Sequence, residues 1–204
     1  MNKFYFIFIV SMFSAISYSQ AYFIRSGKNS SKFKYSTDYS DKVLNSDIGD
    51  SYEIGRSFRI NGTTMDNEVA LVFNKFNPYV GSPESEVRYS LHYLGIENAI
   101  LYPIIESKFT LLVRAGLSCN KLISGIESIE GELHSVSNFP EFKGLVFMGV
   151  LGLQSNLEVN ENLNLSLGYN YGTSFINTGH LKSEKLTISR NQFVVGINFM
   201  LLNN

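Results

Sequence analysis

Few residues of this chain could take part in catalysis. Ser90 and His92 are two positions apart, so on a β-strand their side chains would share a face. A serine activated by a histidine, with Glu86 or Glu97 orienting the imidazole, is the arrangement used in ester cleavage. Two residues at this spacing also recur by chance, and a histidine that hydrogen-bonds within the fold explains the pattern more simply.

Metal and phosphate chemistry have weaker support. His134 and His180 are isolated, with no second histidine or cysteine pair at the spacing of metal ligands. One predicted loop carries three acidic residues that could gather a divalent cation weakly: Glu127, Glu130 and Glu132. Residues 27–31 contain Gly, Lys and Ser without the full spacing of a phosphate-binding loop. The sequence predicts no catalytic residue, no metal site and no cofactor.

Six side chains are expected to meet inside the fold as a polar network: Arg25, Glu53, Arg59, Arg88, His92 and Arg114. Glu97 is a further candidate partner. We interpret the set as hydrogen bonds and ion pairs that fill the interior, because buried charges must be paired. The glycines at 116, 152, 168 and 196 would give the long arginines room. A charged constriction of a narrow pore is the alternative.

Strands must position these side chains, and residues 162–172 show the strand pattern most clearly. One face carries leucines and then tyrosines: Leu163, Leu165, Leu167, Tyr169 and Tyr171. The other face carries asparagine, serine and glycine. An apolar face that ends in tyrosines, opposite small polar residues, is typical of a strand with lipid outside and a polar lumen inside.

Eight segments carry strand patterns, at residues 21–27, 51–60, 68–76, 87–102, 109–119, 142–156, 162–172 and 192–201. Short connections are expected at 61–67, 103–108 and 157–161, and mostly longer ones at 28–50, 77–86, 120–141 and 173–191. This asymmetry is typical of outer-membrane barrels. Because an open sheet would leave unpaired backbone groups in hydrocarbon, the predicted fold is an all-β, eight-stranded antiparallel up-and-down transmembrane barrel.

Aromatic residues are expected in two belts, at the levels of the lipid headgroups. The periplasmic belt comprises Tyr22, Phe109 and Phe199, and the outer belt comprises Tyr52, Tyr89, Tyr169 and Tyr171.

Two features conflict with this scheme. Val146, Met148 and Val150 place apolar side chains on a predicted lumen face. Arg56 alternates with apolar residues, so a regular strand points it towards lipid, at a cost of about 2–4 kcal/mol near the midplane. A bulge at Gly55, or a register shifted by one, would remove the second conflict.

The amino terminus has the features of a secretory signal peptide over residues 1–19. Lys3 supplies the positive charge, residues 4–16 form an apolar stretch, and Ser17 and Ser19 favour cleavage before Gln20. A spanning helix would need roughly twenty apolar residues. Residues 20–204 then form the predicted outer-membrane barrel domain.

Composition excludes some classes of function. The formal net charge is −1, so no basic field favours nucleic acid as a partner. Cys119 is the single cysteine of the sequence, which excludes an intramolecular disulfide.

The strand count, the leader and segments such as residues 165–172 and 194–199 resemble the small outer-membrane β-barrel family, the OmpX/OmpA-like and PorT-like group of Gram-negative bacteria. The resemblance covers the chain after the leader. It implies an eight-stranded antiparallel barrel without catalytic residues, which periplasmic chaperones and the β-barrel assembly machinery insert into the membrane.

We therefore expect a monomeric, non-enzymatic protein of the cell outer membrane, surrounded by lipid and lipopolysaccharide. Its role would be structural or surface interaction through loops at 28–50, 120–141 and 173–191, since loops on a rigid scaffold commonly carry binding. Three alternatives remain open: a narrow pore or secretion-accessory barrel, a lipid A-modifying enzyme using Ser90 and His92, and a lipocalin-like barrel with its apolar rows inward.

Overall fold

The computed structural model describes residues 20–37, 41–82, 85–129, 131–136, 139, 142, 144–177 and 184–200. They form ten strands: β1 (Gln20–Thr37), β2 (Asp41–Asp47), β3 (Gly49–Arg59), β4 (Asp66–Ser82), β5 (Ser85–Ile105), β6 (Phe109–Ile129), β7 (Glu132–Ser135), β8 (Leu145–Asn160), β9 (Leu163–Asn177) and β10 (Glu184–Met200). Within these ranges no helix is long and apolar enough to cross a membrane. The predicted signal peptide lies outside the described residues.

The strands close into a ring. Each pairs antiparallel with its neighbours, and β10 pairs with β1 along the whole length of β1 after Gln20. A row of paired residues that starts at Tyr22 and runs round the wall returns to β1 at Lys32, ten residues further along the strand. Such a stagger requires strands tilted to the barrel axis, typically by about 35–45°.

The structure has ten strands where the sequence analysis expects eight. β2 and β3 are separated only by Ile48, and together they occupy one place in the wall, between β1 and β4. β7 contains four residues and pairs with the upper end of β6 after a turn at Gly131. The expected number is therefore wrong as a strand count, although eight wall positions surround the lumen.

The half of the barrel that holds tight turns such as 60–65, here called the lower half, is apolar outside. Inside it, polar side chains lie beside two small apolar clusters: Phe23, Ala70 and Val72, and Ala99, Leu101 and Leu112. On β9, Leu165 and Leu167 are exposed, whereas Ser166 and Asn170 are buried. On β1, Ile24 is exposed and Arg25 is buried. The faces predicted for residues 162–172 and 109–119 are therefore observed.

The upper half has a largely apolar interior, and its outer face mixes charged side chains with exposed apolar ones such as Val43, Ile126 and Phe175. On β1, Phe33 is buried while Lys32 and Lys34 are exposed. The interior here is an apolar cluster contributed by almost every wall strand: Phe33, Leu44, Phe76, Leu91, Tyr93, Leu122, Val136, Phe142, Val146, Met148, Leu186 and Ile188. Val146 and Met148, which conflict with a uniformly polar lumen, are thus core residues of the upper half. Tyr89 packs against this cluster instead of joining the outer belt.

The long loops expected at 28–50, 77–86, 120–141 and 173–191 are largely strand. β1 continues to Thr37, β4 to Ser82 and β6 to Ile129, and β10 begins at Glu184. The predicted strands end too early because they are identified by apolar residues on the outer face. On β1 the outer positions above the lower half become lysine and serine, so that pattern ends although the strand continues.

Candidate functional site

Three of the six side chains predicted to form the polar network lie together in the lumen. Arg25, Glu53 and Arg114 are each at most 2% exposed and point inward from β1, β3 and β6. The other three lie elsewhere: Arg59 at the lower rim, Arg88 on the exposed upper surface and His92 on the outer face of β5. Arg59 pairs with Asp66 at 2.7 Å.

Glu68 is the centre of the lumen network. Its carboxylate accepts two hydrogen bonds from Arg25, at 2.5 and 2.9 Å, and one from Arg114 at 2.6 Å. Arg25 also reaches Glu53 at 3.5 Å. Two guanidinium groups therefore share one carboxylate, in the paired geometry that makes arginine–carboxylate contacts strong.

The network continues across the lumen through Glu97. Arg114 Nη2 donates to Glu97 Oε1 at 2.8 Å, and Arg190 Nη2 donates to Glu97 Oε2 at 2.8 Å. From β10, Gln192 donates to two residues of β3, to Glu53 at 2.9 Å and to Ser51 at 2.5 Å. Polar contacts thus link β10, β5, β6, β4, β1 and β3 across the interior.

Each lumen arginine has a glycine as a paired neighbour on the adjacent strand. Arg25 pairs with Gly196, Arg114 with Gly152 and Arg190 with Gly172. A Cβ at Gly196 would lie 2.6 Å from Cγ of Arg25, and one at Gly172 would lie 3.2 Å from Cγ of Arg190. Gly196 and Gly172 therefore make room for arginine side chains, as the sequence predicts for position 196, whereas a Cβ at Gly152 would meet Asn170.

The network is balanced in charge and closes the lower lumen. Three arginines (Arg25, Arg114 and Arg190) face three glutamates (Glu53, Glu68 and Glu97), all buried. An eight-position barrel is just wide enough for side chains to fill. The apolar cluster of the upper half lies above this layer, so two chemically different layers occupy the interior in succession.

Sequence reasoning misses Glu68, Arg190 and Gln192 as members of the network. Arg190 falls in a segment expected to be a loop, and Glu68 stands at the predicted start of a strand. The alternation of buried Ile188, Arg190, Gln192 and Val194 along β10 is the signal for Arg190 and Gln192, and that of Glu68, Ala70 and Val72 along β4 is the signal for Glu68. The mixture of apolar and polar residues on one face hides that periodicity.

The residues considered for ester cleavage do not converge. Leu91 and Tyr93 are buried in the lumen, so Ser90 and His92 face outward, where the His92 ring stacks on Phe73 at 5.7 Å. Glu97, in contrast, lies inside the barrel. Glu86 pairs with Arg88 at 2.6 Å. A triad built from these residues is therefore not assembled.

The remaining candidates for metal or phosphate chemistry are also dispersed. No cluster of three potential metal ligands occurs among the residues that the structure describes. His134 is exposed near Glu132, while Glu130 and His180 lie outside the described residues. Residues 27–31 form part of extended β1 and not a phosphate-binding loop.

Ion pairs lie on the outer surface of the upper half. Lys34 of β1 pairs with Asp41 of β2 at 2.6 Å, and this hydrogen bond lowers the pKa of the Asp41 carboxyl. Arg88 contacts both Glu86 and Asp47. A surface of paired charges around an apolar interior is the arrangement of a water-soluble β-structure.

The lower end of the barrel opens into a polar cavity of about 410 Å³. Acidic residues dominate its charged lining, with Asp66, Glu106, Glu158 and Glu161 near Arg59 and Lys108. Glu68 also lines the cavity. The cavity therefore reaches the ion network.

No family model matches this chain, and no curated protein matches it. The outer membrane protease OmpT of Escherichia coli is similar in structure, with a TM-score of 0.55 and 8% identity over 92% of this chain and 100% of that one. Neisserial surface protein A aligns with a TM-score of 0.47 and 15% identity over 89% and 99% of the two chains. Ail of Yersinia pestis aligns with a TM-score of 0.47 and 14% identity over 89% and 100%.

The likeness to OmpT concerns the fold. The chain has the fold of an outer-membrane β-barrel, a closed antiparallel wall with an apolar outer band and a lumen that side chains occupy.

Proposed function

We propose that this chain is a non-enzymatic, monomeric protein of the Gram-negative outer membrane, in which a sealed barrel carries a rigid extension outside the membrane for surface contacts. The observation that supports the proposal most is the reversal of polarity along β1. A strand with apolar residues outside fits lipid, whereas the same strand with lysines outside and phenylalanine inside fits water.

Strand length supports the extension. β5 and β6 contain 21 residues each, whereas about 9–11 tilted residues cross a bilayer. Lys28, Lys75 and Lys121 mark the upper edge of the apolar band on the outer faces of β1, β4 and β6. Roughly half of each long strand therefore lies above that edge and would project from the membrane.

The extension offers apolar side chains for contact. Ile123 and Leu133 are 53% and 69% exposed on β6 and β7, beyond Lys121. Contiguous patches of exposed apolar residues on a soluble surface commonly mark interaction sites, and β6 also exposes Ile126 and Ile129 here. In this proposal, the extended strands above the membrane carry the surface contacts, and long loops contribute less.

The proposed route to the membrane follows the sequence analysis. Residues 1–19 would direct export, chaperones and the β-barrel assembly machinery would insert residues 20–204, and lipid with lipopolysaccharide would surround the apolar band.

An epitope tag inserted after Gly131 tests location and orientation. Gly131 lies in a turn with φ of 91° and has open space around its Cα, so an insertion should be tolerated. We expect antibody to label intact cells, and the unboiled protein to migrate as a heat-modifiable band from the outer-membrane fraction. Labelling only after permeabilisation, or a soluble periplasmic band, would contradict the proposal.

Conductance tests the sealed lumen. Because the ion network and the apolar cluster fill the interior in succession, we expect planar bilayers with wild-type protein to show no discrete current steps. Steps that change in size on Arg114→Ala would instead support a narrow pore.

A further inference from the structure

Arg56 lies on the outer face of the lower half. β3 is regularly paired at this position, with Tyr22 of β1 on one side and Val69 of β4 on the other. Ile54 and Phe58 are its neighbours on the same face of β3. Neither a bulge nor a shifted register turns the side chain inward, so an arginine stands within the band that we assign to lipid.

The described part of the chain provides no counter-ion for Arg56. The two carboxylates that β4 places opposite the end of β3 are engaged elsewhere. Asp66 pairs with Arg59, and Glu68 lies in the lumen with Arg25 and Arg114. The Nε atom of Arg56 is buried without a hydrogen-bond partner among these residues. Among the described residues the charge of Arg56 is therefore uncompensated, and a group outside them must supply the anion.

The position of the guanidinium indicates which molecule lies there. It stands over the ring of Tyr22, 5.5 Å from the centroid, and Tyr22 stacks on Phe199 at 6.0 Å. Aromatic side chains at the end of the apolar band mark the level of the headgroups. Arg56 is also only three residues, about 10 Å along the strand, from the last residue of β3. Phosphodiesters lie at this level in a bilayer.

Two amides add polar groups beside the arginine. Val69 pairs with Arg56 on one side and with Asn98 on the other. Asn98 Nδ2 donates to Asn67 Oδ1 at 2.9 Å, also on the outer face. A small polar patch of Arg56, Asn67 and Asn98 thus interrupts the apolar band on β3, β4 and β5.

We propose that Arg56, stacked on Tyr22, binds the phosphate of an anionic glycerophospholipid in the periplasmic leaflet. A guanidinium binds phosphate through paired, charge-assisted hydrogen bonds. Such a contact neutralises a charge that the described residues leave unpaired in an apolar band. A net-anionic headgroup such as phosphatidylglycerol is favoured over a zwitterionic one, because the zwitterion carries its own cation.

Native mass spectrometry tests the proposal on the full protein in detergent micelles. Equal amounts of phosphatidylglycerol and phosphatidylcholine with the same acyl chains are added, and bound lipids are counted. We expect wild-type protein to retain phosphatidylglycerol preferentially, and Arg56→Gln to reduce those adducts about tenfold, as the loss of one charged hydrogen-bond donor implies. Arg56→Lys keeps the charge without the planar fork and should give an intermediate loss.

Arg88→Gln is the matched control, since it removes an exposed arginine from the upper surface. Wild-type phosphatidylglycerol binding in Arg56→Gln would overturn the proposal, as would an equal loss in Arg88→Gln. A dimer that disappears in Arg56→Gln would also overturn it by assigning the arginine to a contact between two copies. The proposal rests on membrane insertion, which the heat-modifiable band reports separately for every variant; if Arg56→Gln does not fold, Arg56→Lys decides the outcome.

Discussion

Glu68 is the residue on which we expect the lumen network to depend most directly, because its carboxylate accepts three hydrogen bonds from Arg25 and Arg114, whereas Glu97 accepts two from arginines. Replacing it with glutamine preserves its shape but removes the carboxylate that lies nearest to both Arg25 and Arg114, leaving only the more distant Glu53 in common. We expect Glu68→Gln to lower the free energy of unfolding by about 3 kcal/mol, the usual cost of breaking a buried ion pair by removing one partner. Urea titration of protein refolded into lipid vesicles measures the change.

Glu86→Gln is the control for Glu68→Gln, because it removes an exposed pair with Arg88 on the upper surface. Exposed pairs contribute little to stability, so this variant should unfold at the urea concentration of the wild type. Equal destabilisation by both substitutions would show that the lumen pairs have no special role.

For Tyr93 we expect that removing a polar group does not lower stability, in contrast to Glu68→Gln. The Tyr93 ring is buried against Phe76 in the upper apolar cluster, but its hydroxyl is buried without a hydrogen-bond partner among the described residues. Tyr93→Phe should therefore leave stability unchanged or raise it by up to about 1 kcal/mol. Tyr93→Ala should lose about 3–5 kcal/mol through the cavity that it creates. A marked loss in the phenylalanine variant would mean that the hydroxyl does have a stabilising partner.

The sequence predicts the lumen network only in part, and the reason lies in individual residues. Arg25 and Arg114 alternate with clearly apolar neighbours, so their inward direction follows from strand periodicity. Arg88 lies on the same face of β5 as Leu94 and Ile96, which are exposed, so strand periodicity directs it outward. The sequence analysis assigns it to the lumen because a polar interior is expected along the whole strand, whereas the interior at this height is apolar.

At the scale of elements, β5 shows how one strand serves two environments. Leu91 is fully buried in the upper cluster, whereas Leu94, three residues on, is exposed on the outer face. Leu91→Ala should cost about 2–5 kcal/mol, because it leaves a cavity in a packed interior. Leu94→Ala should cost much less, because lipid or water fills the space. The same urea titration compares the two variants, and a larger loss at Leu94 would contradict the assigned faces.

Strand ends are the least predictable elements for a related reason. Segments 162–172 and 109–119 keep leucine or valine outside and are found from sequence. Residues 28–37 have serine and lysine outside with Phe33 inside, which is the pattern of a soluble strand. On β1 the apolar residues change from the outer to the inner face at the edge of the band. A search for apolar residues on the outer face therefore ends there, and the rest of the strand is predicted to be a loop.

At the scale of the whole molecule, one closed barrel contains a lower half with an ion network inside and an upper half with an apolar cluster inside. The wall that surrounds the ion network in the lower half continues, without a change of topology, around the apolar cluster above it. Closed pairing by itself suits either lipid or water outside. The outward side chains therefore decide which part of the barrel lies in the membrane, and Arg56 is the exception that we assign to a lipid phosphate.

Spin labels at two outward positions of β1, introduced as Ile24→Cys and Lys32→Cys with Cys119→Ser, test this arrangement most directly. Power-saturation electron paramagnetic resonance compares the access of oxygen, which concentrates in lipid, with that of a water-soluble nickel chelate. The structure predicts that the label at position 24 is accessible to oxygen and shielded from the chelate, and that the label at position 32 shows the reverse. Equal chelate access at both positions would contradict a barrel that is embedded in lipid at its lower half and surrounded by water above.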